Sequence, residues 1–103
     1  MAKRSTRFPG RCPAHPGALL REIVLSAVPA SKTGIARGLG VSRQTLYDIL
    51  AEKQPVTAQM AVRLGTYLRN GPELWLNMQT AYDLWHAERS IDVSQIKPLE
   101  KAD

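Results

Sequence analysis

Four polar side chains in the stretch GLGVSRQTLYDILAEKQP, namely Arg43, Gln44, Tyr47 and Asp48, recur at spacings of one and four residues. On a helix that spacing gathers them on one side, while Leu46, Ile49 and Leu50 fall on the other. A face of this composition can read base edges. Arg43 can donate two hydrogen bonds to guanine and Gln44 can make a paired contact with adenine, while Asp48 can accept from a cytosine amino group or orient Arg43. Tyr47 suits a phosphate or a thymine methyl. Ser42 at the start of this helix, Lys32 at the start of the preceding one and Lys53 just past its end are placed to hold backbone phosphates. Periodicity alone fits equally well a polar helix face that meets only water.

No competing chemistry is evident. His15 precedes a helix start and suits a local hydrogen bond; His86 lies between Trp85 and Ala87 with no nucleophile near it in the sequence. An acid, base and nucleophile set is lacking, so an enzyme is not expected. Cys12 is the single cysteine. With two histidines it supplies too few soft ligands for a structural zinc site, and no metal or cofactor is expected.

The elements that must position the polar face are helical. Residues 16 to 27 carry Leu19, Leu20, Ile23, Val24 and Ala27 on one side, with Pro16 in the first turn and Pro29 beyond the end. Ser31 is placed to cap a second helix with Ile35, Ala36 and Leu39 inward, and Gly40 to end it. Gly34 and Gly38 weaken that helix by roughly 1 kcal/mol each relative to alanine, so packing must hold it. Ser42 caps the third helix. Thr57 caps a fourth, with Met60, Ala61, Leu64, Tyr67 and Leu68 inward. Asn70-Gly71-Pro72 is a stop, and a fifth helix is expected from about residue 73 to 89. Its residues Leu74, Trp75, Met78, Ala81, Tyr82 and Trp85 cover an arc of roughly 120°, enough for one buried face. Trp75 and Trp85 read as core aromatics or as partner anchors. Leu76 and Leu84 fall outside the arc and are candidates for a dimer or partner surface.

The flanks differ in character. Residues 1–14 hold four basic residues, two prolines and one glycine without an apolar period, and read as a flexible basic arm in which Lys3, Arg4 and Arg7 add nonspecific affinity for nucleic acid. In residues 90–103, Ile91, Asp92, Val93 and Ser94 alternate. This segment reads either as a short C-terminal strand, pairing through Ile91 and Val93 with a second subunit, or as a frayed tail.

At 103 residues the chain fits one domain, residues 15–89, and its charge of +5 is uneven. Residues 1–53 hold nine basic against three acidic side chains, and residues 54–103 five against six. The half bearing the polar face therefore suits a polyanion. No signal peptide opens the chain and no apolar run approaches a membrane-spanning length, so a soluble, cytoplasmic protein with no membrane partner is expected.

From about His15 to Ala87, the sequence resembles the HigA-type antitoxins of type II toxin-antitoxin modules, within the phage-repressor-like helix-turn-helix proteins. The motifs are HPGALLREIVL, IARGLGVSRQTLYDIL, VTAQMAVRLG and PELWLNMQTAYDLW. The resemblance implies an all-α, five-helix, homodimeric DNA-binding protein with a dimerising fifth helix, which binds an RNA-cleaving toxin and represses its own operon at a palindromic double-stranded operator. By position it implies Arg43, Gln44, Tyr47 and Asp48 as base readers, and Lys32, Ser42, Thr45 and Lys53 as backbone contacts. A stand-alone phage-type regulator and a helical protein-binding adaptor are the alternatives. Where the family usually has Asn-Gly-Lys after the recognition helix, this chain has Ala51-Glu52-Lys53. A left-handed cap there costs roughly 1–2 kcal/mol or is replaced by another turn.

Overall fold

In the computed structural model, which describes residues 11–26 and 30–100, three hydroxyl side chains start helices where the sequence places them. The helices are α1 (Pro16–Ser26), α2 (Lys32–Leu39), α3 (Arg43–Leu50), α4 (Ala58–Tyr67) and α5 (Pro72–Ser90). Ser31 Oγ accepts from Gly34 N at 3.1 Å, Ser42 Oγ from Thr45 N at 3.0 Å and Thr57 Oγ1 from Met60 N at 3.2 Å. Each bond satisfies one of the amides that a helix start leaves without a partner. The expected last turn of α1 at Ala27, the stop at Pro29 and the arm residues Lys3, Arg4 and Arg7 lie outside the described residues.

Gly40 ends α2 in the left-handed conformation, φ 76°. Its amide donates to Arg37 O and that of Val41 to Ala36 O, closing the helix end. Gly38, within α2, also has a reason. A Cβ on Gly38 would lie 2.4 Å from Cε1 of Tyr67, so the absence of a side chain lets α4 approach.

One core joins all five helices. Leu20 from α1, Ile35 and Leu39 from α2, Leu46, Ile49 and Leu50 from α3, Met60 and Leu64 from α4 and Trp75 from α5 are buried together, with Val56 from the α3–α4 loop. Leu19, Ile23, Tyr67 and Leu68, all expected inside, pack only partly buried at its edge. α5 departs most from expectation. It starts one residue early, with Pro72 in its first turn behind Gly71. Leu74 is 40% exposed, and the buried positions are Trp75 and Gln79, four residues apart on one line. The line is narrow because α5 packs mainly along the single rod of α4, so neighbours one position away turn outward. Gln79 is tolerated inside because both ends of its amide are used. Oε1 accepts from Val56 N at 2.8 Å and Nε2 donates to Asp83 at 2.9 Å.

The strand reading of residues 91–94 is corrected: no strand forms among the described residues. Asp92 Oδ1 accepts from Ser94 N at 2.9 Å and Val93 O from Ile96 N at 3.0 Å, so the segment turns instead of extending. Ile91 and Val93 are both more than half exposed. No helix among the described residues is long and apolar enough to cross a membrane.

Candidate nucleic-acid interface

Between α2 and α3 the chain needs only Gly40, Val41 and Ser42 to turn. Ile35, Ala36 and Leu39 then pack on the same core as Leu46 and Ile49. The pair is fastened from outside as well. Arg63 on α4 donates to Leu39 O at 2.9 Å, meeting a carbonyl that the end of α2 leaves open.

This packing leaves Arg43, Gln44 and Tyr47 exposed on one side of α3, with Asp48 half-buried beside them. The polar side of α3 is therefore solvent-facing, and its internal pairing is specific. Gln44 Nε2 donates to Asp48 Oδ1 at 2.8 Å, so Asp48 holds Gln44 and not Arg43. The bond leaves the Gln44 carbonyl, one Nε2 hydrogen and the whole Arg43 guanidinium for other partners. Lys32, at the start of α2, lies with Nζ 5.9 Å from the centre of the Tyr47 ring, which brings a cation from the first helix of the pair against a phenol of the second. Thr45 is partly buried, and its Oγ1 accepts a hydrogen bond from Ser42 Oγ at 2.9 Å. Ser42 and Thr45 thus form one small hydroxyl cluster at the α3 N-terminus, where the helix dipole is positive.

The far end of α3 runs into the Ala51-Glu52-Lys53 turn. Glu52 takes the left-handed conformation, φ 62°, in the place a glycine would occupy. Glu52 N donates to Ile49 O at 3.0 Å and Lys53 N to Asp48 O at 2.8 Å, the two bonds of a left-handed helix cap. The costlier of the two expected alternatives is therefore the one adopted. Arg21 of α1 meets it there, donating to Leu50 O and pairing with Glu52 Oε2 at 3.2 Å. Sequence reading missed Arg21 because the partner lies 31 residues away. Lys53 is exposed just beyond.

His15 plays a structural part. His15 is buried, and its Nδ1 accepts from Gly17 N at 2.9 Å at the opening of α1, with the ring edge-on to Tyr82 at 4.9 Å. Burial pushes its imidazole below the ordinary histidine value, against the opposing pull of Glu52 and Asp83, with Arg21 adding to the lowering. A lowered folded-state pKa means the unfolded chain binds the proton more readily. Stability is then full above the ordinary value and falls as pH drops through it toward the lowered one. His15→Asn keeps a side-chain acceptor that does not titrate. Its urea midpoint is expected to change less than that of the wild type between about pH 7.5 and about pH 5.5. An equal loss in both proteins would assign the acid sensitivity elsewhere. Cys12 Sγ lies 3.5 Å from His86 Nε2, and no group of three or more metal-ligating side chains forms among the described residues.

Of the residues expected on a dimer or partner surface, Leu76 is 38% exposed on α5 and Leu84 is half-buried. Trp75 is fully buried and bonds Asn70 Oδ1 through Nε1 at 2.9 Å, whereas Trp85 is only partly buried under the Arg89 guanidinium, 3.9 Å from the ring centre.

No family model matches the chain. It is similar to antitoxin HigA-1 of Vibrio cholerae, with 32% identity over 91 residues that cover 86% of each chain. A solved structure of antitoxin GraA in complex with its operator matches with a TM-score of 0.79 and 38% identity, covering 98% of this chain and 100% of that one. Antitoxin HigA of Pseudomonas aeruginosa with the higBA promoter matches with a TM-score of 0.74 and 35% identity, covering 85% of this chain and 99% of that one.

Proposed function

The chain belongs to the HigA-type family of helix-turn-helix antitoxins, and from that premise we propose that it is a DNA-binding antitoxin that represses its own operon and neutralises a cognate RNA-cleaving toxin. The observation that carries the DNA part is the exposed row Arg43, Gln44 and Tyr47 on α3, on a fold shared with two relatives solved on operator or promoter DNA. In this reading Arg43 takes guanine, Gln44 takes adenine with its amide plane set by Asp48, and Tyr47 meets a phosphate or a thymine methyl. Lys32, Ser42, Thr45 and Lys53 hold phosphates, and Lys3, Arg4 and Arg7 add affinity without sequence preference. Two copies, joined through α5 and the 90–103 tail, set their α3 helices about one DNA turn apart on a palindrome. Leu76, Leu84, Ile91 and Val93 supply the apolar contacts available there.

Arg43→Ala is expected to weaken binding to the upstream operator by about 1–3 kcal/mol and to relax preference at one base pair. Titration of wild type and variant against the operator and single-base variants of it measures both effects; equal affinities would remove Arg43 from the reading. The toxin part is tested by co-expressing the chain with the neighbouring reading frame. Growth rescue together with co-purification supports it, and growth arrest with no complex sinks it.

A further inference from the structure

Arg21 belongs to α1, outside the helix-turn-helix, yet its guanidinium reaches the end of α3 twice. Nη1 donates to Leu50 O, and Nη2 pairs with the Glu52 carboxylate at 3.2 Å. These two acceptors flank Ala51, the residue that closes α3. Three physical demands meet at this point. The last carbonyls of α3 need donors beyond those of the helix itself. Glu52 is held at φ 62°, a conformation that a residue with a Cβ resists. A carboxylate at the negative end of a helix dipole is unfavourable there, and beside Lys53 it opposes the approach of phosphates.

We propose that Arg21 is a positioning residue for DNA reading. It fixes the last turn of α3 and keeps the Glu52 carboxylate neutralised, so that Lys53 acts on DNA without a bare anion beside it. The inference rests on the reading of α3 as the DNA-reading helix. A guanidinium suits the task because its planar fork reaches a carbonyl and a carboxylate at once, which a single ammonium does less well. The pair also accounts for the departure from the family pattern: a glycine at position 52 would need no cation from α1, whereas glutamate does.

The test is a double-mutant cycle read by fluorescence anisotropy on a duplex of the chain's own promoter, at several KCl concentrations. Arg21→Ala is expected to lose roughly tenfold in affinity and to show a shallower salt dependence, because an unpaired anion then lies near the phosphates. Glu52→Gly is expected to bind at least as tightly as the wild type and to melt higher, having lost both the anion and the strained Cβ. Arg21→Ala combined with Glu52→Gly is expected to return within about threefold of the wild type with its salt slope restored. A purely structural role, or a direct contact of Arg21 with phosphate, leaves the double variant as weak as Arg21→Ala, and that result overturns the proposal. So does an Arg21→Ala protein that binds like the wild type. If Arg21→Ala does not fold, Arg21→Met, which keeps the length of the side chain and removes its charge, gives the same comparison alone and with Glu52→Gly, with the same expected recovery. Wild-type protein that fails to bind the duplex overturns the reading of α3 and this inference with it; wild-type binding with uncoupled variants overturns this inference alone.

Discussion

Trp75→Ala is expected to cost about 3–5 kcal/mol, a large share of the roughly 5–15 kcal/mol that holds a small domain together. Trp75 has no exposed surface, and it is the largest side chain in the core that α4 and α5 share with α2 and α3. Removing the indole opens a void that other core side chains such as Leu64 and Val56 cannot readily fill, because they are themselves fully buried in the same close-packed core. It also leaves Asn70 Oδ1 without its donor in the loop that starts α5. Urea unfolding followed by circular dichroism measures the loss, and promoter binding at 37 °C should fail with it, since α3 is held in place by the same core. Trp85→Ala is the comparison. Its ring is partly buried and lies under Arg89, so the expected cost is below about 1.5 kcal/mol. Equal costs at the two positions would mean that the division between core and surface tryptophans is wrong.

The contrast between the two tryptophans also shows what could be read from the chain without a structure. Ser31, Ser42 and Thr57 as helix starts and Gly40 as a stop were legible, because capping is decided within three or four residues of the cap itself. The exposed face of α3 was legible for the same reason, from spacing alone. The width of the buried face of α5 was not. It depends on how many helices cover α5, and a wheel that admitted Leu74 and passed over Gln79 had no access to that number. Which of the two turns forms at Glu52 was illegible for a longer-range reason: the strained residue lies just past α3 and its stabiliser Arg21 on α1, and nothing local to either announces the other. Asp48 falls between these cases. Its spacing from Gln44 permits the observed bond, yet its spacing from Arg43 left an alternative that only the side-chain geometry decides.

Gly17→Ala is expected to destabilise the fold by roughly 3 kcal/mol, although alanine is the better helix former by about 1 kcal/mol. Gly17 is buried where α1 crosses α3, and a Cβ there would lie 1.9 Å from Ile49 O and 3.0 Å from His15 Nδ1. The obstacle is backbone, so no rotamer change relieves it; one helix must move. That movement has a particular consequence. Ile49 O is the acceptor for Glu52 N, and Leu50 O next to it is the acceptor for Arg21, so a shift of α1 loosens the left-handed turn and its cation together. The urea midpoint should therefore fall, and promoter affinity measured under conditions where the variant is still folded should fall with it. Glu52→Gly in the same background separates the two effects. It should recover part of the DNA affinity by removing the unpaired carboxylate, and it should leave the packing defect at Ile49 in place. A Gly17→Ala protein more stable than the wild type would show that α1 and α3 do not approach as closely as Gly17 permits, and the coupling of α1 to the end of α3 would go with it.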